Sequence, residues 1–385
     1  MDPTRIERAY FVCQTNALPL SYGPSSVVGS IMLSESDFGL WLRKNDPHHQ
    51  QFTTPNVAKT VNAVPVPWPE NLRPQAVVPT QRPKPSDPLP QSDVLVVTWT
   101  SGESQTFAKL MTGGNFEHWY EYRNNVEAFI PKVTGKRAPF NDHSREMVRY
   151  YHTLGLYCPF RIGSISAVVL KSGLHMAYDG PDVPLVALWQ QMIEQVKPKL
   201  VITTGTGGGI GASTLLGDVV IAAATRFDLT GALKDKPYAQ TSYATSAMSF
   251  NLARMQSLIT DDLLKPNGDL LKTPRIPQMI YPAHGVNVVS TDTFAFDDST
   301  DHFGLQQLGK CCDMGDATLG LALEGVASAP AWVSIRNASD PQIPNPENNM
   351  NEAKRDAEAI YGEYQCVTTA GSVIATWATI VAQLG

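Results

Sequence analysis

The sequence predicts an α/β protein with a largely parallel sheet, and three observations carry that expectation. Short apolar runs rich in β-branched residues recur from Asp93 to Ile335, and amphipathic helical patterns separate several of them. The central stretch, KLVITTGTGGGIGASTLLGDVVIAAA from Lys199 to Ala224, carries one run into a glycine-dense turn, Gly205 to Gly209, and starts a second after Gly217-Asp218. Apolar runs this short, bounded by glycine, suit buried strands. Their alternation with helices is the pattern of α/β folds.

In chain order, residues 1–92 differ from the rest. They hold 14 of the 29 prolines, with PVPWPENLRP and PTQRPKPSDPLP between Val64 and Pro90. Proline at that density removes backbone donors and favours extended chain, so this extension ends in a linker or a surface strap. Arg8 to Val12, Ser26 to Leu33 and Phe38 to Leu42 carry enough apolar residues to pack on a body or a partner. A second unit, residues 93–385, opens with the strand DVLVVTW, followed by Glu103 and a helix from Gln105. Residues 112–160 read as helix with loops, Ser164 to Lys171 as a strand, and Pro184 to Val196 as an amphipathic helix. Beyond Ala224, helices are expected over Thr245–Leu263 and Asp269–Leu271, a strand over His284–Ser290 and a helix over Asp316–Val326. A strand from Ala331 to Ile335 follows, then two helices, Glu352–Ile360 and Thr369–Gln383.

Composition narrows the function classes. The chain has 385 residues, 43% of them apolar and 17% charged, with a net charge of -6. A mildly acidic chain without a basic block points away from nucleic acid and anionic membranes. No apolar stretch reads as a membrane span, and the N-terminal MDPTRIERAYFVC lacks a secretory apolar region. The five cysteines are odd in number and show no C-x-x-C spacing, so a reduced, cytoplasmic setting is expected. Eight histidines form no H-x-x-x-H and do not cluster with cysteine, so neither a metal nor another cofactor is implied. Gly207, Gly209 and Ala212 match a dinucleotide fingerprint, but only Ser213 to Leu216 separate that loop from the next turn, too few for the helix such a site needs.

Ligands of open α/β sheets gather at the carboxyl ends of strands. Four strand ends carry candidate groups: Glu103, Thr206, the Asp292/Phe294 pair and Asp340. Two separated carboxylates, an aromatic face and a loop rich in N–H groups suit acid–base chemistry on a flat heterocyclic ligand.

From Asp93 to Gly385 the chain resembles the nucleoside phosphorylase and nucleosidase superfamily, which includes purine nucleoside phosphorylase and methylthioadenosine/S-adenosylhomocysteine nucleosidase. The resemblance rests on TTGTGGGIG with LGDVVIA, on Ser290-Thr291-Asp292-Thr293-Phe294, on Asp313-Met314 and on Ile335-Arg336-Asn337-Ala338-Ser339-Asp340. It implies a three-layer α/β/α sandwich with a central mixed sheet. It makes Asp340 the acid that protonates the purine and Phe294 the ring that stacks on it. Met314 then lies under the ribose, Thr206 faces the anomeric carbon and Glu103 activates water. Gly207, Gly208, Ala295 and Ser339 join the binding residues.

Departures from the family pattern matter as much. Two arginines that grip phosphate in the phosphorylases are replaced in the Trp99–Glu103 segment and by Thr203, which favours hydrolysis over phosphorolysis. A Gln-x-Arg of the uridine-specific branch is missing after Phe294, which favours a purine. The family's Met-Glu, which holds the ribose hydroxyls, reads Met314-Gly315-Asp316 here, leaving Asp316 or Asp313 for that role. The expected activity is therefore hydrolysis of a purine nucleoside or nucleotide to base and sugar, with the base and the 5′ substituent open. Phosphorolysis and a nucleoside-sensing module stay as alternatives. A homo-oligomer is implied, in which the segment Arg226-Phe227-Asp228 completes a neighbour's pocket.

Overall fold

The computed structural model describes residues 65–114, 118–134, 148, 152–176, 179–265 and 276–385. The expected arm segments before residue 65, and the helix expected over 269–271, lie outside them. In chain order the described elements are strand β1 (Pro74–Ala76), β2 (Val94–Thr98), helix α1 (Ser101–Met111), β3 (Tyr120–Tyr122), β4 (Gly155–Ile162) and β5 (Ile165–Ser172). Next come α2 (Leu185–Val196), β6 (Leu200–Gly209), β7 (Val219–Ile221), β8 (Ala224–Phe227), β9 (Ser242–Ala244) and α3 (Leu252–Leu258). The last are β10 (Met279–Ile280), β11 (Asn287–Ser290), β12 (Cys311–Asp313), α4 (Ala317–Leu323), β13 (Ala331–Asp340) and α5 (Met350–Leu384).

These strands form one mixed sheet, with the main path β1-β4-β5-β2-β6-β12-β11-β8-β9. Its centre is parallel: β5 with β2, β2 with β6, and β6 with β13. Its flanks are antiparallel, β4 with β5 and β8 with β9, so the sheet is less parallel than the alternation of elements suggested. Alternation along the strands feeds two cores. Val94, Val96, Ile202 and Val333 face α1 and α5 through Phe107, Ile374 and Trp377. Leu95, Val97 and Val201 face α2 and α4 through Leu188, Trp189 and Leu319. The result is the α/β/α sandwich that the resemblance implies.

Strand β6 controls the geometry. Its first residues, Leu200 to Thr203, pair with β2, while Gly208 and Gly209 pair with β12 on the same side. Along its other side it pairs with β13 over almost the whole length. The glycine-dense stretch is therefore not a turn but the second half of a buried strand, Leu200–Gly209. Glycine lets neighbouring groups close in on that backbone: a Cβ at Gly207 would collide with the Cys312 carbonyl oxygen and the Cys311 sulfur. Between the stretches paired with β2 and β12, Thr204, Gly205 and Thr206 face an opening in the sheet, of the kind at which α/β ligands bind. Turns, not a helix, connect β6 to β7, as the short spacing required.

Other expectations change. The segment 112–160, expected as helix with loops, holds β3, two single 3₁₀ turns and the start of β4 among its described residues, with Val148 helical. Pro159 within GLYCPFRI masks a strand pattern, because proline ordinarily demotes a run to an edge or a break. Thr245–Leu263 breaks into a 3₁₀ turn, α3 and a further helical stretch that begins at 261, and the α3 N-cap Asn251 accepts a hydrogen bond from the Arg254 N–H. The two closing helices are one helix of 35 residues. Extending a helix through Gly362 costs about 1 kcal/mol, less than ending one helix and nucleating another. Its last part, Val367–Leu384, is long and apolar enough to cross a membrane (mean hydropathy 1.3), contrary to the sequence reading, but 89% of it is buried in the protein.

The described part of the proline-rich segment is a strap laid on the body. β1 pairs antiparallel with Phe160–Ile162 of β4, and the Trp377 indole N–H donates to the Leu72 carbonyl at 2.8 Å. Trp68 packs on Trp377 with ring centroids 4.8 Å apart, and both are buried. Trp68→Ala is expected to lower the unfolding free energy by about 3 kcal/mol in urea titrations, the cost of emptying an aromatic core site. A loss below about 1 kcal/mol would show that the strap is only loosely held.

Candidate active site

Thr100 follows β2 and caps α1: its side-chain oxygen accepts from the Glu103 N–H, and the Glu103 carboxylate accepts from the Thr100 N–H at 2.8 Å. This capping box turns the Glu103 side chain back toward the end of β2, where its Oε2 also accepts from the Trp99 N–H at 2.7 Å. Its Oε1 reaches the opening beside β6 and accepts from the Thr206 N–H at 2.7 Å and the Thr206 hydroxyl at 2.8 Å. The carboxylate takes the space a Cβ at residue 205 would need, and Gly205 has φ +150°, so only glycine serves there.

Behind Glu103 lies Arg336, on the parallel neighbour β13 and without solvent exposure. Its guanidinium donates through Nε and Nη2 to the two oxygens of Asp316, and its Nη1 lies 3.5 Å from Glu103 Oε1 and 3.3 Å from the Thr206 carbonyl. Asp316 also accepts from the Ser334 hydroxyl and, at 3.0 Å, from the Trp99 indole N–H. Burial alone would raise the Asp316 carboxyl, but the Arg336 charge and these bonds hold it below its ordinary value. Burial pushes the neighbouring Asp313 well up, helped by the charge of Asp316.

At the far end of β13 the register slips between Ala338 and Asp340, so one extra residue is accommodated. Such a bulge re-aims side chains, and here both Ser339 and Asp340 face the cleft. Asp340 Oδ1 accepts from the Ser339 hydroxyl at 2.9 Å. Burial pushes Asp340 up to about 7, the Ser339 bond opposing it. A carboxyl with that value holds a proton near neutrality and can give it up.

Glu103, Thr206, Ser339 and Asp340 line one cleft. It brings together Glu103, Thr206, Gly207, Gly208, Phe294, Ala295, Asp313, Met314, Ser339 and Asp340. Asp316 does not line it. That carboxylate is fully buried and bound to Arg336, because the fully buried guanidinium needs a counter-charge. Asp292, at the end of β11, is not a lining residue either: it accepts from the N–H groups of Thr230, Gly231 and Leu233 and pins that loop. The segment Arg226-Phe227-Asp228 does not line its own chain's cleft. Thr203, in place of an arginine, is buried within β6. Among the described residues, no lysine or arginine lines the cleft.

Sequence reasoning missed Arg336 as a supporting group, although an arginine inside a strand as apolar as AWVSIR signals a buried ion pair. It also missed His175 and Tyr361 in the cleft wall, for which no motif speaks. Burial and the nearby Lys171 and Arg336 charges bring His175 down to about 4, so its ring is neutral at pH 7.

A strand-end cleft with one carboxyl that keeps its proton and one held by N–H donors defines an α/β protein equipped for acid–base chemistry. The family model described as the phosphorylase superfamily matches residues 129–360, and the chain belongs to that superfamily. Among solved structures, the 5′-methylthioadenosine/S-adenosylhomocysteine nucleosidase of Helicobacter pylori is 12% identical, with 76% of this chain and 98% of that one covered and a TM-score of 0.46. The same enzyme from Colwellia psychrerythraea, in complex with adenine, is 13% identical over 77% and 97%, with a TM-score of 0.44. The futalosine hydrolase of Helicobacter pylori is 12% identical over 73% and 95%, with a TM-score of 0.42. Among curated proteins none matches this sequence.

Because Arg336 and Asp316 are both fully buried, removing one strands the other's charge. Arg336→Met is expected to cost about 3–5 kcal/mol in unfolding free energy. Combining it with Asp316→Asn should recover part of that loss, measured as a double-mutant cycle. Strictly additive losses would mean that the pair is not coupled.

Proposed function

We propose that the protein hydrolyses the N-glycosidic bond of a purine nucleoside or nucleotide, releasing the free base and a sugar. One observation carries this: a carboxylate ringed by donors, Glu103, faces a cleft whose described lining holds no cation. An anionic nucleophile such as phosphate would meet like charge there, whereas water needs only an acceptor. In this reading the base stacks on Phe294, and Asp340 gives its proton to the purine as the bond to the sugar breaks, so that the base leaves neutral. Water adds to the anomeric carbon and passes a proton to Glu103. Of the four closest donors to that carboxylate, three are fixed N–H groups of Trp99, Thr100 and Thr206. The fourth, the Thr206 hydroxyl, can rotate and yield its place on Oε1 to the water. Arg336 acts through Glu103, holding it in position.

Asp340 must be protonated to act, and its value of about 7 sets where that form is lost. Base release is therefore expected to be full below about pH 6 on the side of the acid, and to fall as pH rises through about 7. Asp340→Asn should lower kcat by about 10²–10⁴ with the fold intact by circular dichroism. A variant with near-full base release would remove Asp340 from the proton-donor role.

Reaction products separate water from phosphate as nucleophile. Chromatography should show free sugar beside free base, at a rate unchanged by millimolar phosphate, and Glu103→Gln should lower that rate by about 10² or more. A sugar 1-phosphate, formed faster as phosphate rises, would make the protein a phosphorylase instead.

A further inference from the structure

The groups assigned to the purine sit on two loops from different strands. Phe294 and Ala295 follow β11, whereas Ser339 and Asp340 close β13. Stacking and protonation make different demands on one flat ring: Phe294 must lie against its face, and Asp340 must meet its edge. The spacing between the two loops is therefore part of the chemistry.

Asp297 joins them. It lies three residues beyond Phe294, is 1% exposed and does not line the cleft itself. Its Oδ2 accepts from the Gly211 N–H at 2.8 Å and from the Gln342 side-chain amide at 2.8 Å. Its Oδ1 accepts from the Gln306 side-chain amide at 3.1 Å, and its backbone carbonyl accepts from the Ile343 N–H at 2.8 Å. Gly211 lies two residues past β6, whose Gly207 and Gly208 line the cleft, and Gln342 lies two residues past Asp340. Three segments that each supply lining residues thus converge on one side chain. Asp298 grips the same loop farther out, accepting from the Asn345 side-chain amide at 2.6 Å. The Phe294 ring packs on Phe296 with centroids 6.1 Å apart, and Phe296 stands edge-on to Phe303 at 5.4 Å.

Resting on the hydrolase reading above, we infer that Asp297 is a positioning residue. By tying the loops of Phe294 and Asp340 to the end of β6, it holds the acid at the edge of the stacked base. Proton transfer tolerates little displacement: an error of about 1 Å caused by a distant substitution can cost about 10²-fold in rate. Binding is spread over the whole lining and changes less.

The test offers adenosine, guanosine and their 5′-monophosphates to the full chain and takes the best substrate into steady-state kinetics. Asp297→Ala should lower kcat by about 10²-fold while KM moves by less than about fivefold. Asp297→Asn keeps the shape and one acceptor oxygen, and should retain more activity than the alanine variant. Gln342→Ala cuts only the side-chain bond to the acid's loop, at a half-buried residue. It should lower kcat by about tenfold with an unchanged melting midpoint. In an Asp340→Asn background either alanine substitution should cost little more, because the group being positioned is gone. Near-full kcat in folded Asp297→Ala, or an equal further loss in both backgrounds, would overturn the inference and leave the hydrolase reading in place. If Asp297→Ala does not fold, Gln342→Ala decides by the same two criteria. No base released from any of the four compounds by the unmodified chain would remove the hydrolase reading and the inference with it.

Discussion

The site depends on supplying partners to one carboxylate where water hardly reaches. Glu103 is 1% exposed, and a carboxylate buried without hydrogen-bond donors is costly. Its stability comes from where strands part. β6 leaves β2 after Thr203 and meets β12 at Gly208, so the N–H of Thr206, between them, is free of the ladder on that side. The start of α1 supplies two more N–H groups, and helix N-termini favour negative charge. A fork in the sheet and a helix start converge on one anion.

Arg336 makes the arrangement rigid, and in turn demands Asp316. A buried guanidinium is costly unless it is paired and its donors are used, and here the Asp316 oxygens and the Thr206 carbonyl use them. The chain of contacts runs from Trp99 through Asp316 and Arg336 to Glu103 and Thr206. It ties β2, β6, β13 and the start of α4 together beneath the cleft. Asp340 stands apart from it, with only Ser339 to oppose its burial, and its carboxyl is pushed up to about 7. Two carboxyl groups of similar intrinsic strength are thereby set to opposite tasks.

Much of this was legible in the sequence because the motifs are local. TTGTGGGIG, STDTF and IRNASD each end or continue a strand, and strand ends of one sheet gather at one edge. Glu103, Phe294, Met314 and Asp340 could therefore be placed in one cleft from spacing and resemblance. Asp316 was misplaced because its role depends on Arg336, which is 20 residues away in sequence and adjacent only in space. The glycine stretch read as a turn because glycine marks turns locally. Its true reason is crowding by Glu103, Cys311 and Cys312, which no local pattern records. The single helix α5 and the strap at Trp68 likewise depend on tertiary packing that outweighs propensity.

The fit between Gly205 and Glu103 has a consequence for how such a chain can drift. Any side chain at 205 needs the volume that the carboxylate occupies, so that position stays closed to change while Glu103 is present. Shortening residue 103 would open the space, yet the positive φ of Gly205 would still strain any side chain placed there. Volume and backbone conformation hold the position separately, so removing the first leaves the second in force. A descendant that loses the acid therefore keeps the gap, and with it the room to take the acid back.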